Sequence, residues 1–216
     1  MNLLRGLLHG TPIRGPLRSP MLTSTDSHSN TAHADASLNP VENDIPVRQK
    51  GIGAIITAAR NDRLIAGVQV EPIALWPDDR GHFVEVLRVG HGLAADFPVA
   101  TSQVSATVTF PGIVKAFHYH LQQSDCWTVV KGMLQVGLVD LRKRSPTFGE
   151  RNTIYIGEKR PWQVLIPPGV AHGYKVIGLD AAALVYVTNR FYDPSDERRI
   201  AYDDPGLAYD WDTQFK

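Results

Sequence analysis

The 216-residue chain has little cysteine, no excess of charge and no long apolar run. Its single cysteine, Cys126, excludes an internal disulfide framework and fits a reducing compartment, so we expect a cytoplasmic protein. Lysine plus arginine and aspartate plus glutamate number 22 each, so no overall field attracts nucleic acid or an anionic membrane. An anionic ligand must therefore be held by local cations. No apolar run approaches the ~18 residues that a membrane-spanning helix needs, and we expect no membrane span.

The sequence also has no long amphipathic helical pattern, which argues against a fold of alternating strands and helices. It shows no internal repeat and no glycine-rich phosphate loop. The chain instead carries short segments rich in Val, Ile, Thr and aromatic residues, bounded by Gly, Pro, Asp or Asn. These segments predict strands at 68–75, 82–88, 100–109, 113–120, 126–130, 133–141, 151–156, 163–166, 172–176 and 181–188. Short strands joined by tight turns predict an all-β protein, an antiparallel jelly roll whose open mouth offers a ligand site.

The two ends of the chain differ from this pattern. Residues 1–50 combine two short Leu-Leu pairs with a polar stretch that has no periodicity, and we expect a disordered N-terminal extension. Residues 51–216 are long enough for one substantial domain. Within that domain, residues 192–216 are acidic and aromatic, and we predict a loop that wraps the barrel and contains a short helix from Ser195.

Three histidines and one carboxylate stand out at spacings that bring them together. Alternate residues of a strand face the same side, so His118 and His120 point together into whatever the sheet encloses. Asp125 follows closely, and the Pro-Pro-Gly turn before His172 re-aims the chain to deliver a third imidazole. Two chemistries use such a cluster: a metal centre, or a general base supported by polar neighbours.

The same spacings resemble the two cupin motifs. His118-x-His120, with Asp125 where that family usually has glutamate, matches the first motif, and Pro167-x-Gly169-x-x-His172 matches the core of the second. In metal-binding cupins the corresponding side chains hold a divalent metal. By this resemblance His118, His120, Asp125 and His172 are candidate metal ligands, and imidazole nitrogens with a carboxylate oxygen suit Fe, Mn, Ni, Zn or Cu.

A longer resemblance covers roughly residues 67–211. In order and spacing the chain is similar to the dTDP-4-dehydrorhamnose 3,5-epimerase family, through the strings Asp79-Arg80-Gly81-x-Phe83-x-Glu85, Gly112-x-x-Lys115-x-x-His118-Tyr119, Asp140-Leu141-Arg142-x-x-Ser145-Pro146-Thr147-Phe148-Gly149, Gly169-x-Ala171-His172-Gly173-Tyr174 and Tyr186-x-Thr188-Asn189-x-x-Tyr192. The resemblance implies a homodimeric, cupin-type jelly roll that needs no metal. Its implied reaction inverts C3 and C5 of a 4-keto-6-deoxy sugar carried on thymidine diphosphate.

The resemblance also implies a role for particular residues. The 4-ketone acidifies the hydrogens on both adjacent carbons, so a base can remove each one and an acid can return it from the other face. His118 matches the base and Tyr186 the acid, and a histidine near its ordinary pKa of about 6.5 suits that role. Further positions match contacts to the sugar nucleotide: Arg80, Glu85, Gln103, Lys115, His172, Tyr192 and Glu197.

Two departures from the family's pattern bear on the chemistry. The family's pocket lysine has no counterpart, and Asp125 lies at the aligned place, so a cation that would stabilise an enolate is replaced by an anion. Lys115 stands where the family typically has arginine, which keeps the charge but loses the bidentate fork. Asp125 is then a candidate to orient His118. Alternatively, a metal on the histidine cluster replaces the lysine as electrophile, with His118 a ligand rather than the base.

Three hypotheses follow, and they belong to different classes. The leading one is an epimerase of a dTDP-linked 4-keto-6-deoxy sugar that needs no cofactor. The second is a metal-dependent cupin enzyme, an oxygenase or isomerase, acting on another small molecule. The third is a cupin that binds a sugar nucleotide without catalysis.

Overall fold

The computed structural model describes residues 49–212. The expected disordered extension at 1–50 lies outside these residues except for its last two positions. Within the described part of the chain, no helix is long and apolar enough to cross a membrane.

Strands dominate this part of the chain, as the sequence predicted. They are β1 (Ala54–Ile55), β2 (Gln69–Pro72), β3 (Leu75–Asp78), β4 (Gly81–Val84), β5 (Gln103–Thr109), β6 (Val114–His120), β7 (Asp125–Lys131), β8 (Met133–Asp140), β9 (Arg151–Gly157), β10 (Trp162–Ile166), β11 (Val170–Ile177), β12 (Ala182–Thr188) and β13 (Glu197–Arg199). One short 3₁₀ helix, Gly92–Ala94, lies before β5.

Two large sheets form the body of the domain. One has six strands in the order β1-β9-β8-β11-β6-β13, and the other has five in the order β2-β10-β7-β12-β5. The main core is built from residues of both sheets, for example Leu134 and Leu138 of β8 with Val164 of β10, all 0% exposed. Alternate residues of each strand face opposite sides of its sheet, and one set from each sheet forms this core. The predicted all-β, cupin-type jelly roll is confirmed.

The C-terminal segment covers the other face of the six-stranded sheet. Phe117 of β6 contacts Tyr209 and Trp211, with ring centroids 5.6 and 5.2 Å apart. Gly137 of β8 makes this approach possible, because a Cβ there would lie 2.7 Å from the Tyr209 ring. The segment therefore wraps the barrel as predicted, and it packs against β6 on the face opposite the main core.

Two details of the prediction were wrong. The jelly roll is not fully antiparallel, because β1 pairs with β9 in parallel. The expected helix from Ser195 is instead a tight turn followed by β13. The Asp193 carboxylate accepts hydrogen bonds from the backbone N–H and the hydroxyl of Ser195, at 2.8 and 2.7 Å, and this favours a turn. Residues 197–199 then pair with the edge of β6, whose backbone groups need a partner.

The Asp-Leu-Arg-x-x-Ser-Pro-Thr string forms the turn after β8 rather than part of the cavity. The buried Asp140 carboxylate accepts hydrogen bonds from Arg142 at 2.8 Å, Ser145 at 2.5 Å and Thr147 at 2.6 Å. Arg142 in turn packs so closely on Gly169 that a Cβ there would lie 2.5 Å from its side chain. This network ties the β8 turn to the turn that precedes β11 and His172.

Candidate active site

A cavity of about 750 Å³ is lined by residues of both sheets. The six-stranded sheet contributes residues of β6 and β13, and the five-stranded sheet contributes residues of β5, β7 and β12. Most of the site residues predicted from the sequence line this cavity: Gln103, Lys115, His118, His120, Asp125, Tyr186, Tyr192 and Glu197. The volume falls in the range of pockets that enclose a small ligand.

Strand register brings the histidines together. His118 pairs with His172 on one side of β6 and with Arg199 on the other, while His120 pairs with Glu197. The rings of His118 and His172 meet edge to face with centroids 4.2 Å apart. With Asp125, the three histidines place their ligand-type atoms within 4.8 Å of one another.

Asp125 is the buried anion of this cluster, with 2% of its surface exposed. Its carboxylate accepts hydrogen bonds from the amide of Gln123 at 2.7 Å and from the indole N–H of Trp127 at 3.2 Å. Although burial alone would raise it, the pKa of Asp125 lies below its usual value because His172, His120 and Gln123 stabilise the charged form. Asp125 is therefore ionised at neutral pH.

His172 lies behind the cavity wall rather than on it. It is 2% exposed, and its Nδ1 is 2.8 Å from the carbonyl oxygen of Val170. Because a carbonyl only accepts, Nδ1 carries the hydrogen, and Nε2 faces the Asp125 carboxylate at 3.5 Å. His172 is not among the residues that line the cavity, whereas its neighbours Asp125 and His118 are.

His118 is the half-buried histidine that reaches the cavity. Burial, and then the charge of His172, lower the pKa of His118 from its ordinary value to about 2. The imidazole is therefore neutral at physiological pH, with a lone pair available to accept a proton. This pKa is well below the value near 6.5 that the sequence suggested, because the sequence does not reveal how deeply the ring is buried.

Tyr186 reaches the cavity from the opposite sheet. It lies on β12, where it pairs with Ser105 of β5 and Trp127 of β7. His118 and Tyr186 thus stand on different walls of one cavity. A ligand between them can lose a proton to one side and gain a proton from the other.

Two cations line the same cavity. The Lys115 ammonium donates to the hydroxyl of Thr107 at 3.0 Å, and the Arg199 guanidinium donates to Glu197 at 2.6 Å. Arg199 did not appear among the predicted site residues, because its segment was read as a helix. The alternation of Glu197 and Arg199 on one face would have identified it once that segment was recognised as a strand.

Gln103 and Tyr192 lie together at the cavity, where the backbone N–H of Tyr192 donates to the Gln103 side chain at 3.1 Å. Arg80 and Glu85 lie elsewhere, in and just after the exposed β3–β4 hairpin. Arg80 pairs with Asp78 at 2.5 Å, and Glu85 pairs with Arg88 at 2.7 Å. Within one chain these two predicted substrate contacts do not reach the cavity.

Comparison with known proteins places this geometry in context. Residues 63–216 match the family described as dTDP-4-dehydrorhamnose 3,5-epimerase. The spore coat polysaccharide biosynthesis protein SpsL of Bacillus subtilis is 42% identical over 155 residues, which cover 71% of this chain and all of the relative. The dTDP-4-dehydrorhamnose 3,5-epimerase of Pseudomonas aeruginosa is 34% identical over 143 residues, covering 65% of this chain and 78% of that enzyme.

Solved structures give the same answer for the fold. The 4-keto-6-deoxy sugar epimerase NovW of Streptomyces spheroides is 31% identical with a TM-score of 0.61, over 69% of this chain and 76% of that one. A Legionella pneumophila epimerase in complex with dTDP-4-keto-L-rhamnose is 28% identical with a TM-score of 0.61, over 72% and 81% of the two chains.

Proposed function

This chain belongs to the dTDP-4-dehydrorhamnose 3,5-epimerase family, and we propose that its cavity epimerises a dTDP-linked 4-keto-6-deoxy sugar in deoxysugar biosynthesis. It is an enzyme of the isomerase class. The observation that carries the proposal is the placement of His118 and Tyr186 on opposite walls of one cavity, within the part of the chain that matches the family.

The proposed reaction is a pair of proton transfers. The neutral imidazole of His118 takes the hydrogen from the carbon next to the ketone, and the electron pair of that C–H bond moves to the ketone oxygen as an enolate. The hydroxyl of Tyr186 then donates a proton to the opposite face of the same carbon, which inverts its configuration. The developing enolate and a bound diphosphate both favour the protonated form of His118, which offsets the low pKa of this imidazole.

Lys115 and Arg199 are the proposed ligands of the diphosphate. Both line the cavity, and the planar fork of Arg199 supplies the bidentate geometry that Lys115 lacks. Gln103 and Tyr192, which are bonded to each other, are placed to contact the nucleotide base, and Glu197 holds Arg199 in position. No cofactor takes part in these steps.

We further propose that the enzyme is a homodimer in which Arg80 and Glu85 of one chain contact the substrate bound in the cavity of the other. Their hairpin presents Trp76 and Phe83 at 54% and 65% exposure, with ring centroids 5.8 Å apart. Within the described residues, β3 and β4 form a two-stranded sheet separate from the other two. An exposed aromatic hairpin suits contact with another chain.

A mixing experiment tests this arrangement. His118→Gln removes the proposed base from the cavity, and Arg80→Ala removes the proposed substrate contact from the hairpin. Each variant alone is therefore expected to be inactive. If the hairpin serves the partner, a reassembled equal mixture contains hybrids with one intact site and recovers about a quarter of the wild-type activity. Absence of recovery, with hybrids demonstrated by mass spectrometry, would contradict a shared site.

We propose a cytoplasmic location because Cys126 is a free, buried thiol, which suits a reducing compartment. Burial raises the pKa of this thiol to about 12, so it is a packed residue rather than a nucleophile.

The function is tested by incubating the enzyme with dTDP-4-keto-6-deoxyglucose in heavy water and following C3 and C5 by NMR. Deuterium at both carbons identifies a 3,5-epimerase, and deuterium at one carbon identifies a mono-epimerase. Binding of the nucleotide without exchange, at high enzyme concentration, would contradict the proposal and indicate a non-catalytic binding protein.

A further inference from the structure

We infer that Trp127, Tyr174 and Leu184, together the apolar patch of the cavity, contact the C6 methyl group of the sugar and select 6-deoxy sugars over their 6-hydroxy counterparts. The three side chains lie on β7, β11 and β12, and all of them line the cavity. The role assigned to the patch rests on the proposed function and adds to it the residues that read one substituent of the substrate.

The apolar patch belongs to the main hydrophobic core. Trp127, Tyr174 and Leu184 are 2%, 4% and 2% exposed, and they pack in the same cluster as Leu138 and Val164. The rings of Trp127 and Tyr174 meet edge to face with centroids 5.8 Å apart. Close packing of this kind resists displacement, so a substituent against the patch meets a fixed surface.

The polar groups of the patch are already hydrogen-bonded to other residues. The indole N–H of Trp127 donates to the Asp125 carboxylate at 3.2 Å, and the hydroxyl oxygens of Tyr174 and Thr109 are hydrogen-bonded at 2.9 Å. The side chain of Leu184 has no polar atom. A ligand hydroxyl placed here would lose its hydrogen bonds to water, find no free partner on Trp127 or Leu184, and compete with Thr109 for Tyr174. A methyl group incurs no such cost.

The apolar patch also borders both groups of the proposed proton transfer. Trp127 pairs with Tyr186 across β7 and β12, and its ring centroid lies 6.3 Å from that of His118. Leu184 lies two residues before Tyr186, on the same face of β12. When C5 loses a proton to one side and gains one from the other, the methyl group on C5 lies in the plane of the enolate, between the two sides. It therefore points out of the space between His118 and Tyr186, where the patch can contact it.

The test compares two stable sugar nucleotides that differ only in the hydroxyl group at C6, namely dTDP-glucose and dTDP-6-deoxyglucose. Neither carries the ketone, so calorimetry measures their binding to the full-length protein without turnover. A hydrophobic site disfavours an added hydroxyl by about 100-fold or less, and dTDP-6-deoxyglucose should bind about 10–100-fold more tightly. Equal affinities, or tighter binding of dTDP-glucose, would overturn the role of the patch and leave the proposed epimerisation standing.

Variants of Leu184 test the patch itself. Leu184→Asn places an amide there at similar volume and should reduce the preference to about threefold or less. Leu184→Met keeps the patch apolar and should retain the preference. Val185→Asn is the matched control, because Val185 is the next residue, faces the other side of β12 and does not line the cavity. An undiminished preference in folded Leu184→Asn, or its loss in folded Leu184→Met or Val185→Asn, would overturn the assignment.

Deuterium exchange separates the role of the patch from the proposed function. No exchange into dTDP-4-keto-6-deoxyglucose, together with preferential binding of dTDP-6-deoxyglucose, would refute the epimerase proposal and leave the patch as a specificity determinant for binding. Binding of neither sugar nucleotide would overturn both.

Discussion

Replacing Tyr186 by phenylalanine removes a single oxygen atom from the cavity wall. Tyr186 is half-buried on β12, and within residues 49–212 no hydrogen bond joins its hydroxyl to another residue. The substitution therefore leaves no buried group without a partner, and the free energy of unfolding should change by less than about 1 kcal/mol. The aromatic packing of the ring is retained.

The effect on catalysis should be far larger. A general acid contributes about 10²–10⁴-fold in rate, which corresponds to about 3–5 kcal/mol of transition-state stabilisation. Formation of the inverted sugar should fall by this factor with little change in KM. His118 is untouched, so removal of the proton continues, and deuterium from heavy water should still enter the unreacted substrate. Loss of inversion with continued deuterium exchange is the result expected when only the acid is missing.

Two measurements on Tyr186→Phe check this reasoning, namely product formation by NMR and urea unfolding. Tyr119→Phe is the matched control, because Tyr119 lies on β6 of the six-stranded sheet and packs against the cluster of Phe117 and Trp211, outside the residues that line the cavity. Inversion within tenfold of wild type in a folded Tyr186→Phe protein would refute the assignment of the acid. Equal loss of exchange and inversion would show that Tyr186 acts in binding rather than as the acid.

Three further outcomes are expected. Asp140→Asn should lower the free energy of unfolding by about 3 kcal/mol at pH 7, because it leaves the Arg142 guanidinium without its carboxylate. Burial acts to raise the pKa of Asp140, but hydrogen bonding outweighs it and lowers this pKa. The difference in the free energy of unfolding, measured with urea, should therefore be present above about pH 4 and shrink as the pH falls through the folded-state pKa. Burial lowers the pKa of His118 to about 2, so this imidazole binds a proton near pH 6.5 in the unfolded chain but not in the folded one. Between pH 7.5 and 5 the wild type should therefore lose more free energy of unfolding than His118→Gln. Equal losses would contradict the burial argument. Arg199→Ala should raise KM about tenfold with little change in kcat, whereas Arg198→Ala, on the opposite face of β13, should not.

Much of the fold was predictable because it depends on local chemistry. Segments rich in β-branched residues became strands, and the turn residues between them became turns. β13 was missed because its sequence, Glu-Arg-Arg, has no strand propensity, and it is a strand only because the edge of β6 lies beside it. The parallel pairing of β1 was missed for the same reason, since it depends on a distant strand.

The candidate site was predictable to the extent that strand alternation determines it. Alternation placed His118 and His120 on one face, and both line the cavity. The burial of each side chain was not predictable, because it depends on which other residues pack over it. His172 lies behind the wall for this reason, and the pKa of His118 follows from the same burial.

The central claim is that His118 removes a proton next to the ketone of the sugar. It is tested most directly by comparing wild type with His118→Gln in heavy water, on dTDP-4-keto-6-deoxyglucose, with metal removed from both. The account predicts deuterium at C3 or C5 with the wild type and loss of that exchange by about 10²-fold or more in a variant that remains folded and still binds thymidine diphosphate. Undiminished exchange in the folded variant would contradict it.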